Sequence, residues 1–358
     1  MIKNDLSFAD AKVVDEDLRK LLEARQAHIK VIGVGGAGNN TISRMMQVGV
    51  EGIEIIAVNT DAQDLLYTDA DNKVLIGKEL TKGLGAGANP KVGEEGAKEN
   101  RQELKEAIKG ADLVFITCGL GGGTGTGAAH VIAEVAKKEG ALVIGIVTLP
   151  FTMEGQGRLD NALYGLGQLE KIADTLIVVP NDKLLDLVPD ISIVTAFKVS
   201  DEILVNAVKG ITELITKPGL VNLDFADVRT VMGKGGLSMI GIGESDTENR
   251  ALEAVQKALN NPLLDVEIQG ATGALINVLG GSEMSIKECQ QIVESVSSKL
   301  ADGAKIIWGA QIEKDLGDKV KAMIIVTGVV SGDPGKIGFS KQKQSEIEQI
   351  LGIDFVGE

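Results

Sequence analysis

From residue 28 to about 216 the chain alternates short apolar runs with stretches whose apolar residues recur at helical spacing. The runs around Ile29, Glu54 to Val58, Asp112 to Thr117, Leu142 to Thr148 and Thr175 to Val179 are β-branched and short, and predict buried strands. The intervening stretches predict helices, so this part reads as an α/β unit with a parallel sheet. A longer amphipathic stretch, Val199 to Thr216, carries Ile203, Leu204, Ala207, Val208, Ile211, Leu214 and Ile215 on one wide face and stops at Lys217-Pro218-Gly219. From Gly235 the order becomes strand, helix, strand, helix, strand, strand, which predicts a second, α+β unit. Leu18, Leu21 and Leu22 predict a short helix ahead of the first strand.

The boundaries that follow are an N-terminal helical extension (1–27), a first α/β unit (28–198), a central helix (199–219), a loop plus C-terminal unit (220–330) and a tail (331–358).

Two of the predicted strands run straight into glycine. Gly119-Leu-Gly-Gly-Gly-Thr-Gly-Thr-Gly127 stands between a strand and a helix expected from Ala128. Such a loop points successive backbone N–H groups at one spot, and the helix adds its positive dipole end, which makes a cradle for phosphate. A glycine-rich turn packed for its own sake needs one or two glycines; this one has six in nine positions. Gly33-Val-Gly-Gly-Ala-Gly-Asn-Asn40 is a second such loop. Gly33, Gly35 and Gly38 also satisfy the dinucleotide fingerprint, with Asp61 beyond the next strand, so a nicotinamide-dependent oxidoreductase is an alternative. That enzyme has no use for the second cradle. Two cradles on one sheet suit a longer anion such as a nucleoside triphosphate, and Gly83 to Asn89 is a third loop able to wrap it. No GxxxxGK[ST] occurs and neither cradle holds a lysine, so backbone dipoles and Mg²⁺ carried by nucleotide and water must balance the charge, with no protein metal site.

Composition narrows the field further. A formal net charge of −15 without a polybasic run argues against nucleic acid as a partner. Cys118 and Cys289 lie far apart and read as buried thiols of a reducing compartment, and two histidines exclude a His-rich metal site. No apolar run is long enough for a signal peptide or a membrane span, so no membrane insertion is expected and the expected location is cytoplasmic.

The pair Gly35-Gly36-Ala37-Gly38-Asn39-Asn40 and Gly121-Gly122-Gly123-Thr124-Gly125-Thr126-Gly127 resembles the tubulin and FtsZ family of GTPases, and is most similar to its archaeal and bacterial cell-division branch. The resemblance covers roughly residues 28 to 330. It implies a Rossmann-like GTPase domain, long central helix and α+β second domain, with GTP or GDP and Mg²⁺ as cofactors. It further implies that Glu154 and Arg158 hold the ribose and phosphate side, that Asn181 belongs to the ribose-side loop, and that Phe197 stacks on guanine while Asp201 hydrogen-bonds it. Asn222-Leu-Asp224-Phe-Ala-Asp227 resembles the family's NxDxxD loop, whose residues Asn222, Asp224 and Asp227 would complete the catalytic site of the next subunit in a head-to-tail homopolymer at the mid-cell division site. Read from the residues alone, the same segment is a helix start with Asn222 as cap and two acids favouring the positive end. The resemblance leaves a cell-shape role and a non-polymerising nucleotide-binding regulator as alternatives, and makes Gly352 to Val356 a faint candidate for binding membrane-anchoring or other division proteins.

Overall fold

The computed structural model describes residues 27–187, 192–217, 219–221, 223–264 and 271–329. The expected N-terminal helix, Asn222 and the C-terminal tail lie outside these residues.

In chain order the elements are β1 (Ile29–Val34), α1 (Gly35–Val48), β2 (Ile53–Asn59), α2 (Ala62–Tyr67), β3 (Asn72–Leu75), α3 (Lys78–Thr81), α4 (Pro90–Glu99), α5 (Arg101–Ile108), β4 (Leu113–Gly119), α6 (Thr124–Lys138) and β5 (Leu142–Leu149). A short 3₁₀ turn (Thr152–Glu154) leads to α7 (Gln156–Glu170), β6 (Thr175–Pro180), α8 (Asp182–Leu187) and α9 (Ile193–Thr216). Then come α10 (Phe225–Met232), β7 (Gly236–Ser245), α11 (Arg250–Leu259), β8 (Gly273–Gly280), α12 (Ile286–Ser297), β9 (Lys305–Ile312) and β10 (Val320–Thr327).

All ten strands form one sheet in the order β3-β2-β1-β4-β5-β6-β7-β10-β8-β9. Every pairing is parallel except that of β10, which runs antiparallel to both β7 and β8. The two expected units are thus joined edge to edge, through a short seam of three residue pairs, Thr175 to Ile177 against Gly236 to Ser238. Strand order reverses between β1 and β4. In doubly wound sheets a crevice opens at that reversal, outside the carboxyl ends of the strands.

The inner strands β1, β4, β5 and β6 are buried on both faces, which explains their unbroken apolar runs. Alternation sends Ile32, Val34, Ile116 and Val143 to one core, with α5, α6, α7, α11 and α12. Ile29, Val31, Phe115 and Ile144 go to the other, with α1, α9 and α10. α9 starts six residues before the expected Val199, because Ser192 caps it by accepting from the Thr195 amide. Its 24 residues span about 36 Å.

In the C-terminal half, Ser285 and Glu288 form a capping box at α12, and Arg250 donates to both Glu288 oxygens, to Asp318 O and to Glu283 O. The Arg250 guanidinium and the Ser285 donors hold the Glu288 carboxyl down at about 2. A carboxyl depressed in the folded state contributes stability above its ordinary value near 4.5, and that contribution is lost as pH falls through about 2. Glu288→Gln is therefore expected to lower unfolding free energy near neutral pH by about 2 kcal/mol, the scale of a hydrogen bond to a charged group, a deficit that disappears toward pH 2, as read from urea midpoints across the acid range.

Candidate nucleotide site

A cleft of about 680 Å³ opens at the strand-order reversal. Its floor is the junction of β1 with α1 and of β4 with α6. Helix α1 begins at Gly35 itself, and α6 at Thr124, four residues before the expected Ala128. The glycine motifs are therefore only part loop; the rest is first helical turn. Glycine disfavours a helix by about 1 kcal/mol per residue, and close packing explains its use here. A Cβ on Gly127 would overlap Pro90 O, and one on Gly38 would sit 2.4 Å from Thr117 O.

Neither helix has a side-chain cap; the residues before them are Val34 and Gly123. Their first-turn N–H groups therefore await an acceptor. The two ends also meet, since a Cβ on Gly35 would lie 2.9 Å from the Gly125 nitrogen. Two positive dipole ends converge on one spot, and that spot is built for an anion. Among the described residues no lysine lines the cleft, and the one lining cation, Arg158, is paired with Glu154 at 2.6 Å.

Gly35, Gly36, Ala37, Asn40, Gly122, Gly123, Thr124, Gly125, Glu154, Arg158, Asn181, Phe197 and Asp201 all line this cleft. Gly38, Asn39, Gly121, Thr126 and Gly127 stand behind the wall. Asn39 donates to Asp64 at 3.0 Å, and Thr126 Oγ1 accepts from Gly121 N at 2.9 Å, holding a loop in which Gly121 adopts φ 114°. Leu84 to Gly87 close the third side, as the wrapping reading of that loop expects.

Phe197 is 43% exposed, so it is no core phenylalanine; its ring meets Phe151 edge to face at 5.4 Å. Asn181 is buried and accepts from Ser200 Oγ at 2.9 Å. Asp201 accepts from Thr41 Oγ1 at 2.8 Å. Burial pushes its carboxyl up, the Thr41 hydrogen bond pulls it down, and Glu202 pushes it up again.

Thr41, Asn59, Asp64, Thr148 and Ser200 also line the cleft and were not singled out from sequence. The signal for Asn59 lay in Asn59-Thr-Asp61, a turn at the carboxyl end of a strand beside the cradle. Asn59 Nδ2 donates to Asp64 at 2.7 Å, and its Oδ1 accepts from Thr60 N, shaping a turn whose Thr60 hydroxyl meets that of Thr124 at 2.7 Å. Asp61 caps α2.

The acids of the NxDxxD segment are elsewhere. Asp224, and not Asn222, is the N-cap of α10, accepting from Ala226 N at 3.1 Å; Asp227 follows in the first turn, and both are exposed. Arg229 of the same helix stacks on Phe225 and donates to Asp112 O, just before β4 begins. The other end of β4, Gly119, lines the cleft. At about 3.3 Å per residue, seven residues of strand put roughly 20 Å between the acidic helix and the cleft.

A doubly wound sheet with two uncapped helix ends at its reversal, a long helix crossing both halves and a glycine/threonine signature is the build of a tubulin-type GTPase. Residues 28–189 match the model of the Tubulin/FtsZ family GTPase domain, and residues 236–330 that of the FtsZ family C-terminal domain. Cell division protein FtsZ 1 of Thermococcus kodakarensis is 65% identical over 318 residues, 89% of this chain and 85% of that protein. An FtsZ dimer structure from M. jannaschii superposes with a TM-score of 0.84 at 58% identity, covering 88% of this chain and 92% of that one. CetZ1 from Haloferax volcanii, solved as a GDP-bound monomer, gives 0.76 at 27% identity, covering 90% and 99%. The chain belongs to the FtsZ family of tubulin-like GTPases, which removes the oxidoreductase alternative.

Proposed function

We propose that this protein is a filament-forming GTPase of cell division, whose GTP is bound in the cleft of one subunit and hydrolysed by acids from the next. The observation that carries the reading is the separation of Asp224 and Asp227 from the cleft by the length of β4. Within one chain the acids have no route to the nucleotide; in a head-to-tail row, one subunit's acidic end faces the next subunit's cleft. There Asp224 and Asp227, with Asn222, orient the water that attacks the γ-phosphorus, and the bond to the β-phosphate oxygen breaks to leave GDP and phosphate. Negative charge supplied in trans does not oppose nucleotide binding in the isolated chain.

In the cleft, the cradles at Gly35 to Asn40 and Gly121 to Gly127 hold the phosphates, Glu154, Arg158 and Asn181 face the ribose, and Phe197 and Asp201 take the guanine. Identity of 65% to a relative named as a cell division protein favours division over a cell-shape role, and with it action at the mid-cell division site in the cytoplasm. The dimer form of the M. jannaschii relative supports self-association. Membrane-anchoring or division partners would engage the tail beyond residue 330. Sedimentation with GTP and with GDP, with electron microscopy of the pellets, tests the reading: filaments with GTP are expected, and a protein that stays dispersed with both would be a regulator that does not polymerise.

A cleft without lysine fits a triphosphate whose charge is neutralised by Mg²⁺ held through the nucleotide and water, with the Asp61 and Asp64 carboxylates on the same wall. Bound Mg²⁺ supplies charge neutralisation of the phosphates. Chelation with EDTA is expected to reduce turnover to near background, and undiminished hydrolysis would mean that the cradles alone suffice.

A further inference from the structure

We propose that Thr41 is a positioning residue for base recognition, its buried hydroxyl holding one oxygen of Asp201 so that the carboxylate meets both hydrogen-bond donors on the edge of guanine. The inference rests on the reading of Asp201 as the guanine acceptor and adds to it the group that aims the carboxylate.

Thr41 sits in the second turn of α1, directly after the cradle segment Gly35 to Asn40, and its side chain is completely buried. Its Oγ1 lies 2.8 Å from Asp201 Oδ1 on α9 and 3.1 Å from Ala37 O. A hydroxyl has one proton to give. The carboxylate is the nearer acceptor and the charged one, and charge-assisted hydrogen bonds are about twice as strong as neutral ones. With the proton on the Ala37 carbonyl instead, a hydroxyl lone pair would face the carboxylate. The proton therefore belongs to Asp201, and this bond limits rotation of its carboxyl plane.

Two donors of guanine, the ring N1–H and the 2-amino group, need two acceptor oxygens side by side. Only the ionised carboxylate offers them, since the neutral acid replaces an acceptor with an O–H. Burial works against ionisation at Asp201, and the Thr41 bond is the contribution that works for it. The charged groups around it are Glu202 on its own helix, which Arg44 of α1 holds at 2.6 Å and 2.8 Å, and Asp61, Asp64, Glu154 and Arg158 lining the same cleft. Among the described residues, none of these cations reaches Asp201 within ion-pair distance. Thr41 is the one side chain hydrogen-bonded to it there.

The test compares the full-length protein with its Thr41→Val and Thr41→Ser variants in binding GTP and ITP, which lacks the 2-amino group, from pH 5 to 8. Valine keeps the shape and removes the donor; serine keeps the donor. Thr41→Val is expected to bind GTP about tenfold more weakly and ITP nearly as before, so that the preference for GTP over ITP contracts. Its GTP affinity should also begin to fall at a higher pH than that of the unaltered protein, as Asp201 protonates sooner. Thr41→Ser should restore both. Equal losses for GTP and ITP with an unmoved pH profile would overturn the proposal, leaving Thr41 as packing between α1 and α9; thermal unfolding without nucleotide would show that loss directly. Asp201→Asn separates the layers. If it abolishes the GTP preference while Thr41→Val does not contract it, only the role of Thr41 falls. If it leaves the preference intact, the assignment of Asp201 falls, and the inference with it.

Discussion

Turnover per chain is expected to be close to zero in dilute solution and to rise steeply above a threshold concentration. The cleft and the acidic start of α10 lie at opposite ends of β4, so in the proposed filament a complete site forms only where two subunits meet. An enzyme with its whole site in one chain would give a flat line. Asp227→Ala should leave GTP affinity almost unchanged, because nothing in the cleft is altered, and lower hydrolysis by about 10²-fold or more, the scale of removing a positioned base or water-orienting group. Its filaments should persist longer, since the GTP that favours the contact is no longer consumed. Mixing supplies the sharper measurement. Gly125 has no room for a side chain: a Cβ there would lie 2.8 Å from Gly119 O and 3.2 Å from Val34 O. Gly125→Val chains should therefore bind nucleotide poorly yet keep intact acids. Combined with Asp227→Ala chains, they create one kind of junction with a sound cleft and sound acids. Recovered turnover supports action in trans. Activity that is independent of concentration, in the unaltered protein, would return both acids to the role of helix caps.

GTP should outcompete ATP by on the order of 10⁴, the discrimination found where a buried group is left unpaired by the wrong substrate. Asp201 accepts one bond from Thr41 and has lone pairs left, which adenine cannot fill because it offers neither an N1–H nor a 2-amino group. The cost falls on ATP, and it scales with the burial that already pushes this carboxyl up. Asp201→Ala removes the unpaired acceptor and should erase most of the preference, by relieving ATP of that cost as well as by weakening GTP. Competition against a fluorescent GDP analogue reads both affinities; comparable values for ATP and GTP in the unaltered protein would end the guanine assignment.

The parallel strands and both cradles were legible in the sequence because each carries a strong local signature: β-branched runs of strand length, and glycine where backbone must approach backbone. Helix starts were less legible. Thr124 to Gly127 look like loop by propensity, yet the turn is helical because Gly125 and Gly127 press against Gly119 O and Pro90 O, contacts that only the tertiary structure reveals. The cap of α10 fell to Asp224 although Asn222 and Asp224 are both good caps; nothing local distinguishes them. Thr41, Asn59 and Asp64 were missed for a different reason. Each acts through a partner distant in sequence or through a turn, and a threonine in the second turn of a helix carries no mark of the carboxylate 160 residues away that it serves. The single sheet was also unexpected, since a change of pattern near Gly235 signals a new unit and cannot tell whether its first strand continues the old one.

The direction of the strands has a mechanical consequence. The proposed filament has one contact at the carboxyl end of β4 and the other beside its amino end, so tension on it would pull each subunit along its strands rather than across them. Ladder hydrogen bonds lie across the strands, so such a pull loads those of β4 in shear and together: five pairs with β1 on one side and seven with β5 on the other. A pull at right angles would open the sheet one bond at a time, starting at the three-pair seam between β6 and β7. The subunit is thus stiff along the axis on which it would transmit force and yielding across it, so sideways bending would concentrate at the seam while the nucleotide end keeps its shape.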